Sequence, residues 1–113
     1  MLTSDVRSEL ASHPQATNIY LYGIEAHVCV LQTTLDLLRE GYAVYLVNDG
    51  VSSMRAHDRD TAIKRLEAAG AVSTTAESCL YELMGDAKHE KFKACLPLVK
   101  ELSSFFKQET AAL

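Results

Sequence analysis

Two short apolar runs stand out because neither alternates with polar positions. Asn18-Ile19-Tyr20-Leu21-Tyr22-Gly23 and Tyr42-Ala43-Val44-Tyr45-Leu46-Val47 are rich in β-formers and read as strands covered on both faces. Between them, residues 26–40 place Val30, Leu31, Thr34, Leu35 and Leu38 at helical spacing, and Gly41 follows as a stop. The second strand is closed by Asn48-Asp49-Gly50, an ordinary turn composition. Residues 57–69 predict a further helix with Ile63 and Leu66 inward and Gly70 as its end, and residues 71–74 predict a short third strand. Thr75 then caps a helix over 77–84 that stops at Gly85. At the front, residues 3–12 read as a short helix, capped by Thr3 or Ser4, with Val6, Leu10 and Ala11 on one face. His13-Pro14 ends it, because the residue before proline is biased out of the helical region. Residues 88–106 support one more helical stretch, interrupted around Pro97, and residues 107–113 read as a loose tail.

Strand, helix, strand, helix, strand, helix is the rhythm of α/β architecture with right-handed crossovers. The expected fold is part of a doubly wound, Rossmann-like sheet of about three parallel strands with flanking helices. Residues 1–113 hold no internal repeat and no low-complexity linker, so a single domain, or a piece of one, is expected, with its ordered core over 1–106.

Composition narrows the function classes. The chain has 113 residues, 48% hydrophobic and 23% charged, with a formal net charge of −4. No segment carries a basic cluster, which argues against nucleic acid and anionic membranes as partners. The apolar runs are strand-sized, so no membrane-spanning helix is expected. Met1-Leu2-Thr3-Ser4-Asp5 has neither a basic start nor an apolar leader core. The three cysteines, Cys29, Cys79 and Cys95, are odd in number and lack C-x-x-C spacing. A reducing intracellular compartment, the cytoplasm first, fits them best, with organelle import left open. His13, His27, His57 and His89 do not pair with the cysteines at ligand spacing, so no structural metal site is expected.

Cys29 carries the most chemistry. It lies six positions after Gly23, in the first turn of the expected helix and at the C-terminal edge of the first strand. Unpaired backbone N–H groups and the helix dipole favour a thiolate in such a place. Taken alone, a free cysteine is more often a buried structural thiol. His27 is two residues away and points to another side of a helix, which argues against a Cys–His pair. The Glu25 side chain is expected to cap the helix or to touch a ligand. Thr33 and Thr34 are expected to pack, with a hydroxyl returned to the helix backbone. Asp49 and Ser52 follow the second strand at its C-terminal end, where ligands approach open α/β sheets, yet Asn48-Asp49-Gly50 is equally an ordinary turn. His57-Asp58-Arg59-Asp60 reads as the solvated opening of a helix. Cys79 and Cys95 fall within helical patterns and read as buried or half-buried thiols.

The run Gly23-Ile24-Glu25-Ala26-His27-Val28-Cys29-Val30, with Thr33 or Thr34 a turn later and Gly41-Tyr42 before the next strand, resembles the nucleophile segment of the isochorismatase-like cysteine hydrolases. Asn48-Asp49-Gly50-Val51-Ser52-Ser53 and Ser73-Thr74-Thr75-Ala76-Glu77 are similar to the same group, closest to its isochorismatase domain-containing proteins. The resemblance implies that Cys29 is the nucleophile and that the Ile24–Glu25 peptide is cis. It also implies that the N–H groups of Glu25 and Cys29 form an oxyanion hole. It implies no cofactor, and nothing in this chain replaces the metal ligands of the family's nicotinamidase branch. The family's reaction also uses an aspartate and a lysine on segments upstream of the nucleophile strand. Asp5 and Glu9 are the acids ahead of that strand here, and neither matches the family's motif. The sequence therefore reads as the C-terminal portion of the domain, with its first strand resembling the family's fourth and one edge left toward water.

Two functions follow from the resemblance. In the first, the chain is a cysteine hydrolase fragment whose thiol attacks a carbonyl-type carbon of an unidentified small-molecule substrate, inactive alone for want of the aspartate and lysine. In the second, it is a non-catalytic truncated isoform that binds partners, as a homo-oligomer or with a full-length relative.

Overall fold

The computed structural model describes the backbone of residues 1–111. The chain divides into two compact units, Met1–Ala76 and Glu77–Leu113. The first unit holds α1 (Ser4–Ala11), β1 (Asn18–Ile24), a five-residue π-helical turn (Ala26–Val30), α2 (Leu31–Arg39), β2 (Ala43–Ser52), α3 (Ala56–Ala69) and β3 (Val72–Thr74). Its three strands are parallel in the order β1-β2-β3. The expected α/β architecture is therefore present, with three parallel strands and helical crossovers between them.

The core explains the arrangement. Ala26, Val30, Leu46, Val51, Ile63, Leu66 and Ala71 form one buried cluster, and Leu21, Leu31, Leu35 and Leu38 pack against it. The apolar stripes of the π turn, α2 and α3 thus share one layer with the inward residues of β1 and β2. Leu46 and Leu66 are almost wholly removed from water, each contributing about 2 kcal/mol of burial free energy. Thr34 is fully buried in this layer, and its hydroxyl donates to the Val30 carbonyl oxygen at 2.7 Å. Gly70 ends α3 in the left-handed region (φ +113°), a backbone conformation that glycine adopts without a side-chain clash.

Four expectations are corrected. β1 is not covered on both faces: it is an edge among the described strands, with Tyr22 and Ile24 72% and 69% exposed. The strand spacing itself was right, because apolar Leu21 and Ile19 pair in register with Leu46 and Val44. β2 does not close at Asn48-Asp49-Gly50 but runs on to Ser52. Leu21 pairs with Leu46 while Gly23 pairs with Val51, so residues 47–50 form a bulge opposite Tyr22. Gly50 suits that bulge, since a Cβ there would lie 3.1 Å from the Tyr22 Cβ. The helix expected over 26–40 is two pieces, a π turn and then α2, and the buried positions of α2 are Thr34 and Leu37.

In the second unit, α4 (Ala76–Met84) reaches Gly85 and α5 spans Phe92–Ala111. Tyr81 and Phe92 bring their rings to 6.0 Å, and Cys79 is buried. The fourth correction lies here: Pro97 sits inside α5 without interrupting it, and the helix runs to Ala111, past the expected helical stretch of 88–106. Ala112 and Leu113 lie outside the described residues.

Candidate functional site

The three parallel strands end at Ile24, Ser52 and Thr74, and the polar chemistry gathers beyond the first two. Open parallel sheets present ligands with groups at this C-terminal edge because side chains there are not committed to the core. β1 leaves the sheet through Glu25, which keeps extended backbone (φ −80°, ψ 135°) and caps the π turn. The Ile24–Glu25 peptide is cis. The Glu25 carbonyl oxygen accepts from the N–H groups of Val28 and Val30, at 3.1 and 3.2 Å. The second of these is the wide i→i−5 bond that defines the π form.

The π turn decides what faces outward. Ala26 and Val30, its first and last residues, are both buried in the core. The residues between them, His27, Val28 and Cys29, are pushed toward the surface, and Cys29 is exposed. The extra residue of a π turn thus lets both ends point inward while the thiol points out.

Two bonds tie this turn to the connection between β2 and α3. The His27 Nδ1 lies 2.8 Å from the Ser53 hydroxyl oxygen. The Glu25 carboxylate accepts from the Met54 N–H at 2.9 Å. Of the two expectations for the Glu25 side chain, a helix cap or a ligand contact, the first is corrected: it caps the next loop and not its own helix. His27 has two carboxylates in range as well, Glu25 at 3.8 Å from Nδ1 and Asp58 at 4.0 Å from Nε2. Arg55 donates to Asp58 at 2.6 Å. That hydrogen bond, helped by the charges of Arg55, His27 and His57 and opposed by partial desolvation, holds the Asp58 carboxyl below the ordinary aspartate range.

The other expected site residues are placed as follows. Asp49 accepts from the Ala76 N–H at 2.9 Å, which ties the β2 end to the last residue of the first unit. Ser52 is the last residue of β2, exposed and in register with Ile24. Thr34 returns its hydroxyl to the helix backbone. Of the two upstream acids, Glu9 is bound to His13 at 3.0 Å and Asp5 lies in the first turn of α1. Among the described residues, no group of three or more His, Cys, Asp or Glu side chains is arranged to hold a metal ion. Among the same residues, no helix is long and apolar enough to cross a membrane.

Arg59 departs from the expected solvated face of residues 57–60: its side chain bonds back to β2. Its guanidinium donates to the carbonyl oxygens of Val51 (3.0 Å) and Asn48 and to the Asn48 Oδ1 (2.8 Å). It braces the β2 bulge that contains Asp49. The only available sequence signal was an arginine one turn into a helix that follows a turn-rich strand end, which does not separate a strut from a surface charge.

Comparison with known proteins follows the same outline. Residues 3–78 match the isochorismatase domain. The chain is 46% identical over 101 residues to isochorismatase domain-containing protein 2 of Xenopus laevis, covering 89% of this chain and 49% of that protein. It is 43% identical over 102 residues to isochorismatase family protein 1B of Dictyostelium discoideum, covering 89% and 50%. Among solved structures, MAR1 ribonuclease from Caenorhabditis elegans superposes with a TM-score of 0.81 at 44% identity, over 88% of this chain and 50% of that one. The chain spans about half the length of the curated relatives it matches.

Proposed function

Since this chain belongs to the isochorismatase domain family, we propose that it carries the nucleophile of a cysteine hydrolase acting on a small molecule with a carbonyl-type carbon. The Cys29 thiolate attacks that carbon and forms a C–S bond, while the carbonyl π electrons move to oxygen. The N–H groups of Glu25 and Cys29 receive the oxyanion. The thiol's proton passes to solvent water; collapse of the oxyanion expels the leaving group, which takes a proton back from water, and a second water then cleaves the thioester to the free acid and the restored thiol. The observation that carries this reading is the exposure of Cys29 on a turn at the C-terminal edge of a parallel sheet, with both neighbouring anchors buried. No acid in this chain matches the family's proton acceptor, so this nucleophile-bearing portion is inactive in turnover alone.

A phosphodiester is a poorer fit to this surface. The Glu25 and Asp58 carboxylates flank His27, the nearby Arg55 is already bound to Asp58 and Arg59 to backbone carbonyls, and the whole chain is net negative. The test is a panel of small esters, thioesters and amides offered to wild type and Cys29→Ala, alone and mixed with a full-length family member. Release of one leaving-group equivalent per chain by wild type only supports the reading. Equal release by the two, or cleavage of RNA that survives Cys29→Ala, contradicts it.

One observation favours a second role. Tyr22 and Ile24 are exposed on the free edge of β1, and an uncovered strand edge is a template for pairing. Self-association, or association with a longer relative, is the assembly reading of that edge.

A further inference from the structure

We propose that His27 and Glu25 are positioning residues for the thiol: together they fasten the π turn to the Ser53–Met54 connection and so set where Cys29 and its neighbouring N–H groups point. The proposal rests on the hydrolase reading above and adds to it a role for two side chains that do not themselves react.

The argument begins with the turn itself. Five residues in π form lack the repeated i→i−4 ladder that keeps an ordinary helix rigid, so outside contacts must supply the missing constraint. Ala26 and Val30 supply it on the inner side, through the core. On the outer side it comes from two bonds to one loop: Glu25 Oε2 to the Met54 N–H at 2.9 Å, and His27 Nδ1 to Ser53 Oγ at 2.8 Å. Glu25 is the residue whose N–H is proposed to receive the oxyanion, so fixing its side chain fixes that peptide group. His27 is two residues from Cys29 and leaves no slack between the tether and the thiol. The loop is braced in its turn, since Arg55 holds Asp58, which lies 4.0 Å from His27 Nε2. The side chain of Met54 is 90% exposed, so the loop's hold on the turn is polar and does not come from packing of that residue.

The test compares two reactions of the same sulfur in the intact chain. Acylation by 4-nitrophenyl acetate needs the oxyanion donors aligned with the thiol; alkylation by iodoacetamide is a displacement at carbon that does not. His27→Ala and Ser53→Ala are each expected to lower Cys29 acylation by about tenfold relative to its alkylation, a fraction of what losing an oxyanion donor outright costs. The double variant is expected to fall no further than the singles, because both remove one bond. His27→Asn, whose amide reaches the Nδ1 position, and Glu25→Gln, which keeps an oxygen for the Met54 N–H, are expected to restore the ratio, and Glu25→Ala is not. In hydrogen exchange, the amides of 26–30 and of 53–55 are expected to speed up together in His27→Ala. An unchanged ratio, an additive double variant, or exchange confined to one segment overturns the proposal. A wild type that alkylates at Cys29 yet never acylates there overturns the hydrolase reading and takes the positioning role with it. Normal acylation in wild type beside an unaffected His27→Ala overturns the positioning role alone.

Discussion

Arg59 and Asn48 meet through two hydrogen bonds, the guanidinium donating to both the carbonyl oxygen and the Oδ1 of Asn48. A third bond to the Val51 carbonyl oxygen spans the bulge in which β2 gains residues on β1. The planar fork of arginine fits two acceptors at once, and a lysine ammonium does not. Hydrogen bonds to a charged donor contribute about 1.5–3 kcal/mol when partly buried. Arg59→Lys is therefore expected to destabilise the fold by about 1–2 kcal/mol and Arg59→Ala by about 2–3 kcal/mol, read from urea unfolding. Equal stability of wild type and Arg59→Ala would mean the bulge holds itself.

Thr34 gives a sharper test of the core. Its hydroxyl donates to the Val30 carbonyl oxygen and its side chain is wholly buried. Thr34→Val keeps the volume and loses the bond, for an expected cost of about 1 kcal/mol. Thr34→Ala loses the methyl too and is expected to cost about 2 kcal/mol. Leu46→Ala, at a position wholly removed from water, is expected to cost about 3–5 kcal/mol and to leave little folded protein.

The pH dependence of this edge follows from Asp58. Its carboxyl titrates below the ordinary value because Arg55 donates to it. A group depressed on folding binds its proton more readily in the unfolded chain. Its stabilising contribution is thus present above the unfolded value near 4 and is lost as pH falls through the folded one. In Arg55→Ala, Asp58 is expected to titrate closer to the ordinary aspartate value, and the acid limb of the stability curve to flatten. Carboxyl titration by NMR reads the first and unfolding between pH 2 and pH 6 the second. An unmoved Asp58 in Arg55→Ala would contradict the assigned cause.

Most of the α/β rhythm was legible because burial writes itself into spacing. Val44 and Leu46 on β2, Ile63 and Leu66 on α3, and the stop at Gly70 all follow from local pattern and turn chemistry. The π turn was not legible, since a periodic stripe through Val30, Thr34 and Leu38 looks the same whether or not one residue is inserted ahead of it. The continuation of β2 through Asn48-Asp49-Gly50 was hidden for a different reason: partners far along the chain, Arg59 and the Ala76 N–H, satisfy what would otherwise be turn residues. The same holds for Glu25, whose carboxylate finds Met54 rather than its own helix. Cys29 was legible as a surface thiol only through its neighbours' resemblance to a known nucleophile segment, because spacing alone gives a buried thiol the advantage.

The free edge of β1 makes a separate prediction. If Tyr22 and Ile24 draw chains together, wild type should sediment as larger species as concentration rises, and Ile24→Lys should hold it monomeric by placing a charge on the edge. Identical, concentration-independent sedimentation of the two proteins would remove the assembly reading.

The most direct measurement is a short pulse of an acyl electrophile on the folded chain, followed by intact mass and peptide mapping. The account predicts one adduct per chain, on Cys29, forming faster as pH rises while Cys79 and Cys95 stay unmodified. An adduct spread evenly over the three sulfurs, or none on Cys29, would contradict it.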